Sequence, residues 1–73
     1  MTADPRLVDA RGMLCPWPVI RLSRAARELG TGRLRILADD PAASREIALL
    51  CQERGWRCSE NPLEKGAFEV MIR

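Results

Sequence analysis

Two prolines with a single residue between them, Pro16 and Pro18, limit the chain more than any other feature. Each sets its own φ near about −65°, lacks an N–H, and pushes the residue before it toward extended backbone. Directly after them apolar residues fall at Val19, Leu22, Ala26 and Leu29, with Ile20 and Ala25 beside them. A spacing of three and four is one face of a helix, so a helix starts at the prolines and runs to Leu29. Arg21, Arg24, Arg27 and Glu28 occupy its other side, and Gly30-Thr31-Gly32 supplies the stop and the turn.

The remaining segments arrange themselves around that helix. LVDA (7–10) reads as a short strand, in which Asp9 is unusual and is expected at the strand end. RLRILA (33–38) alternates, with Leu34, Ile36 and Ala38 on one face, although Leu37 implies that both faces are partly covered. Asp39-Asp40-Pro41 opens a second helix, with Asp40 expected as N-cap and Pro41 at the first helical position. Ala43, Ile47, Leu50 and Cys51 form its apolar face, and Gly55 closes it. WRCSEN (56–61) and AFEVMIR (67–73) alternate again, joined through PLEKG as a hairpin.

The order is β-α-β-α-β-β. Helices must cover a sheet, so the expected fold is an α/β (α+β) two-layer sandwich, a four-stranded mixed sheet with both helices on one face. The other face is then partly open, in keeping with Arg33, Arg35, Arg57, Ser59, Glu69 and Arg73 at the alternate positions. Residues 1–73 are expected to form a single domain.

No apolar run approaches the roughly 20 residues of a membrane helix, and MTADPRLVDAR lacks a basic-then-apolar signal pattern. No membrane association and a cytoplasmic location are expected. Net charge is only +2, but it is unevenly spread. Residues 1–36 hold seven Arg against three acids, and residues 37–73 hold five basic against seven acidic residues. With so little net charge and no aromatic stacking platform, direct nucleic-acid binding is not expected.

Three cysteines, at 15, 51 and 58, are an odd number and include no Cys-x-x-Cys, which disfavours a disulfide framework. Four-ligand zinc lacks ligands, and with no histidine in the chain neither a Cys-His pair nor a Ser-His-Asp triad can be built. Cys51 and Cys58 lie in apolar or alternating patterns and read as packing residues. Cys15 stays open between a small buried residue and a nucleophile. Placed at the N-cap, with Pro16 first and Pro18 third in the helix, its sulfur has the Trp17 N–H as natural partner; a second register makes Trp17 the cap. Either register sets the sulfur near the positive helix end, where a thiolate is favoured, with Arg11 and Arg21 adding to the effect.

Asp39 and Asp40 read as helix-start residues, and Trp56 as core or hairpin cover. Trp17 reads equally as a flap over the helix or as a partner contact, and the row Arg21, Arg24, Arg27 as a solvated face or a docking face.

The run Asp9-Ala10-Arg11-Gly12-Met13-Leu14-Cys15-Pro16-Trp17-Pro18-Val19, followed by a basic helix, an Asp-Asp-Pro helix start and a terminal hairpin, resembles the TusA-like (SirA-type) sulfur-carrier family. The likeness spans about Leu7 to Arg73 and is most specific in Gly-x-x-Cys-Pro-x-Pro at 12–18. The resemblance implies a βαβαββ two-layer sandwich. It implies that Cys15 accepts sulfane sulfur as a persulfide from a donor such as a cysteine desulfurase or rhodanese, and passes it to an acceptor protein. Thiolation of tRNA, molybdenum-cofactor metabolism and sulfur oxidation are the family's downstream uses. Gly12, Pro16 and Pro18 then support the motif, and no resident cofactor is implied beyond the transient persulfide. Arg11, Trp17, Arg21, Arg24 and Arg27 are expected to form the docking surface of a monomeric carrier. Trp17 departs from the smaller, polar or acidic residue more usual between the prolines. The alternative is a non-catalytic regulatory module binding a protein through the same surface. A thiol redox sensor lacks its resolving cysteine, and a haem-binding Cys-Pro protein is weakened by the lack of a histidine as second axial ligand, although Met13 is available.

Overall fold

A computed structural model describes residues 6–72, so Arg73 lies outside the described residues. The elements are β1 (Arg6–Asp9), α1 (Trp17–Leu29), β2 (Gly32–Leu37), α2 (Ala43–Arg54), β3 (Arg57–Glu60) and β4 (Ala67–Ile72). They form one four-stranded mixed sheet in the order β1-β2-β4-β3. β1 runs parallel to β2, and β4 is antiparallel to both β2 and β3. The last strand is therefore internal, and four of its six residues are buried.

The register sorts the side chains by face. Val8, Ile36 and Phe68 stand in one row across three strands, and Leu34, Val70 and Cys58 in another. These rows meet Leu22, Ala25 and Ala26 of α1 and Ala43, Ile47, Leu50 and Cys51 of α2 in one hydrophobic core. Both helices thus cover the same face of the sheet. Leu22, Leu34, Ile36 and Ile47 are fully buried, each contributing about 1.5–3 kcal/mol of transfer free energy. The opposite face carries Leu7, Arg35, Glu69 and Ser59 in one row and Arg33, Met71 and Arg57 in the next. Arg35 is paired there with Glu64 and, at 3.6 Å, with Glu69.

Helix ends follow the glycines. Gly30 donates to Ala26 O at 2.9 Å, and Gly55 ends α2 in the left-handed conformation. The helix starts differ from the sequence reading. Neither Cys15 nor Trp17 caps α1: Pro16 does, with Trp17 as the first helical residue and Pro18 within the first turn. Pro18 is also fully buried, a packing role that its backbone chemistry does not announce. Asp40 is not the N-cap of α2. The helix begins at Ala43 with Ala42 at the cap, and Asp40 lies just ahead of it, where one carboxylate oxygen accepts the Ala42 N–H and the other turns to the Cys15 N–H.

The β3–β4 hairpin is fastened to the end of β2 through Gly66. Its carbonyl accepts the Ala38 N–H at 2.8 Å, and its own N–H donates to Glu60 Oε2 at 2.9 Å. Gly66 has φ +88°, and a Cβ there would stand 2.4 Å from the Ala38 carbonyl oxygen, so the close approach requires glycine.

Candidate functional site

Residues 10–16 carry the chain from the end of β1 to the start of α1. Ala10, fully buried, prolongs the β1–β2 pairing by donating to Leu37 O at 2.8 Å. Met13 N–H donates back to Ala10 O at 3.2 Å, and Trp17 N–H to Leu14 O at 2.9 Å, so the segment is two successive tight turns. Gly12 is the third residue of the first turn, at φ 81°, with nothing near the position a Cβ would take; backbone conformation rather than space favours glycine there. The Cys15–Pro16 peptide is cis.

Two of the amides that these turns leave over, those of Gly12 and Cys15, point to the loop after β2, while that of Arg11 donates to Asp9 Oδ1 at 3.2 Å. Gly12 N–H donates to Asp39 Oδ1 at 2.9 Å, and Cys15 N–H to Asp40 Oδ2 at 2.5 Å. Asp40 Oδ1 accepts the Ala42 N–H at 3.0 Å. These bonds hold the Asp40 carboxyl below the usual carboxylate range. The sequence reading of Asp39 and Asp40 as helix-start residues misses contacts made across 27 and 25 positions. The one available signal is two adjacent carboxylates where a cap needs only one.

Cys15 is exposed, Cys51 buried and Cys58 half-buried, and all three are free thiols. The Trp17 N–H is used by Leu14 O and is no partner for the sulfur. Nor is Arg11 turned to it: the guanidinium grips Asp9 through Nε and a terminal nitrogen at 2.9 and 2.8 Å. That grip lowers the Asp9 carboxyl to about 2 and explains an acid at the end of a strand. Local loss of water, then Glu46 and Asp40, push the Cys15 thiol up from its ordinary value. The expectation of a depressed thiol is not met, because the sulfur loses water and the charges acting on it are acidic.

Exposed apolar residues adjoin Cys15 in the chain, and a basic row follows along α1. Leu14 and Trp17 are 72% and 58% exposed, and Ile20, expected beside the buried stripe, instead faces outward. Trp17 and Ile20 are neighbours three apart on α1. Arg21, Arg24 and Arg27 are all exposed along the same helix. Trp56 is partly buried against the core, with the Arg54 guanidinium 5.7 Å from its ring centre.

The family model for sulfurtransferase TusA matches residues 6–73. The chain belongs to the TusA family. It is 36% identical to a sulfur carrier protein TusA of Pseudomonas syringae, over the whole of this chain and 87% of that one. A putative sulfur carrier protein of Archaeoglobus fulgidus is 38% identical, over 90% of this chain and 88% of the relative. Among solved structures, a SirA-like protein of Desulfitobacterium hafniense superposes with a TM-score of 0.75 at 31% identity, covering 90% of this chain and 92% of the other. The α+β architecture is thus that of a TusA-family protein throughout its described length. Among the described residues no helix is long and apolar enough to cross a membrane.

Proposed function

We propose that this TusA-family chain is a sulfur carrier that takes sulfane sulfur onto Cys15 and relays it between a donor and an acceptor protein. The supporting observation is the exposure of Cys15 on a braced loop, while Cys51 and Cys58 are withdrawn toward the core. A carrier needs one reachable thiol and no neighbouring thiol that discharges its persulfide as a disulfide.

In the loading step the Cys15 sulfur attacks the terminal sulfur of the donor's persulfide. A Cys15–sulfur bond forms, the donor's S–S bond breaks, and the departing donor thiolate takes up the proton from Cys15. One sulfane sulfur moves and no net oxidation or reduction occurs. Release to the acceptor repeats the exchange in the other direction. With local loss of water, then Glu46 and Asp40, raising its thiol, Cys15 in the free protein is not activated by its own surroundings, so the partner's groups supply activation on docking. The persulfide is the only group carried, with no resident cofactor, and the setting is the cytoplasm.

Docking is assigned to Leu14, Trp17 and Ile20 together with Arg21, Arg24 and Arg27, an apolar pad beside a basic row. Aromatic and arginine residues are those enriched at such interfaces. Incubation with a cysteine desulfurase and cysteine, followed by intact mass, is expected to show one added sulfur on the wild type and none on Cys15→Ser. An equal gain in Cys15→Ser, or none on the wild type with desulfurase, rhodanese or inorganic polysulfide, overturns the reading.

A further inference from the structure

Pro16 cannot donate a backbone hydrogen bond and Pro18 cannot either, so the start of α1 has few amides with which to fix the segment that carries the thiol. The turns at 10–13 and 14–17 shape the segment without anchoring Gly12 or Cys15. Both amides are anchored from another part of the chain, by two consecutive carboxylates.

We propose that Asp40 is a positioning residue for Cys15: its carboxylate bridges the Cys15 amide and the Ala42 amide, fastening the thiol-bearing loop to the start of α2, with Asp39 bracing Gly12 alongside. Both Asp40 oxygens are used, so swinging away from Cys15 sacrifices the Ala42 bond as well. Pro41 restricts the backbone of Asp40, and Pro16 that of Cys15, so both ends of the bridge are pre-set. With its amide held, Cys15 aims its sulfur through one side-chain torsion. Transfer between proteins needs the attacking sulfur in line with the bond to be broken, and a misplacement of about 1 Å can cost on the order of a hundredfold in rate.

The bridge has a second effect of opposite sign. Asp40 and, from α2, Glu46 place negative charge by the sulfur, while Arg11 is held by Asp9 and the field of Arg21 from α1 falls on Asp9. The same carboxylate therefore aims the thiol and, after local loss of water and Glu46, adds to what raises it above its ordinary value. This role rests on the carrier reading for its purpose, but not for its geometry.

Two readouts on Asp40→Ala and Asp40→Asn test it. The first is the pH profile of Cys15 alkylation by iodoacetamide, followed by peptide mass. Both variants lose the charge, and the midpoint is expected to move to lower pH. The second is loading of Cys15 by a cysteine desulfurase with cysteine. Asp40→Ala is expected to lower kcat roughly tenfold at unchanged KM, and Asp40→Asn, which keeps one acceptor oxygen, to lower it less. Loading of Asp40→Ala at the wild-type rate overturns the proposal whatever the midpoint does. So does a loss that merely tracks the folded fraction with the midpoint unmoved. If Asp40→Ala does not fold, Asp40→Asn carries both readouts with the same expected signs. If the wild type is never loaded, the carrier reading fails, and the alkylation midpoint alone decides whether Asp40 acts on Cys15.

Discussion

Cys15, Cys51 and Cys58 carry the same thiol into three surroundings: an exposed loop, the buried face of α2, and a half-buried position in β3. Burial, then a hydrogen bond with Cys58, pushes the Cys51 thiol up to about 12, while Cys15 is raised by milder loss of water and by its acidic neighbours. Access therefore ranks them more firmly than intrinsic acidity does. Under native conditions iodoacetamide is expected to modify Cys15 first, Cys58 more slowly, and Cys51 only after unfolding, as read by peptide mass over time. Labelling of Cys51 at the rate of Cys15 contradicts this packing. Asp9 shows the complementary case. Its carboxyl is depressed, so the contribution of its pairing with Arg11 is fully present above the ordinary value of 3.8 and is lost as pH falls through about 2.

At the level of elements, α1 divides its work between two faces. Pro18, Leu22, Ala25 and Ala26 face the core, whereas Trp17 and Ile20 face out beside Cys15. Leu22→Ala is expected to cost about 2–5 kcal/mol in urea unfolding, as for a fully buried leucine. Trp17→Ala and Ile20→Ala are expected to change stability by less than about 0.5 kcal/mol. If the outer face docks the donor, Trp17→Ala instead raises the donor KM in the loading assay by roughly tenfold. An unchanged KM removes Trp17 from the docking surface. The order of elements and the α2 stripe are legible in the sequence because glycines and prolines punctuate it and the apolar spacing changes from two to three and four; in α1 Leu22 and Ala26 are buried as expected, while Val19 and Leu29 are only partly buried and Pro18 and Ala25 complete the buried face. The helix starts are not legible. Asp40 has the chemistry of a cap and spends one oxygen that way on Ala42, but its other oxygen goes to Cys15, and a bond across 25 positions leaves no local trace. Ile20 and Ala25 both border the stripe in the sequence, yet Ala25 is buried and Ile20 faces outward, since apolar character alone does not separate a border residue of the core from an exposed one.

Across the whole molecule the site depends on an element that contributes no residue to it. The β3–β4 hairpin closes onto Ala38 through Gly66, and Ala38 directly precedes the two carboxylates that hold Gly12 and Cys15. Gly66→Ala puts a Cβ 2.4 Å from the Ala38 carbonyl in a backbone conformation that alanine adopts poorly. Either the hairpin backs away or Ala38 moves, and both disturb the Asp39–Asp40 support. The expected loss is about 1–3 kcal/mol, which lowers the Tm of a domain this size by roughly 4–8 °C for each kcal/mol. Well below the new Tm, the folded variant is also expected to show an altered pH profile of Cys15 alkylation, although Gly66 lies 51 positions from the cysteine. A lower Tm with a wild-type alkylation profile means that the hairpin stabilises the sheet without bracing the thiol loop. A change in both means that the two-layer fold transmits the hairpin's fit, through Ala38 and Asp40, to the sulfur.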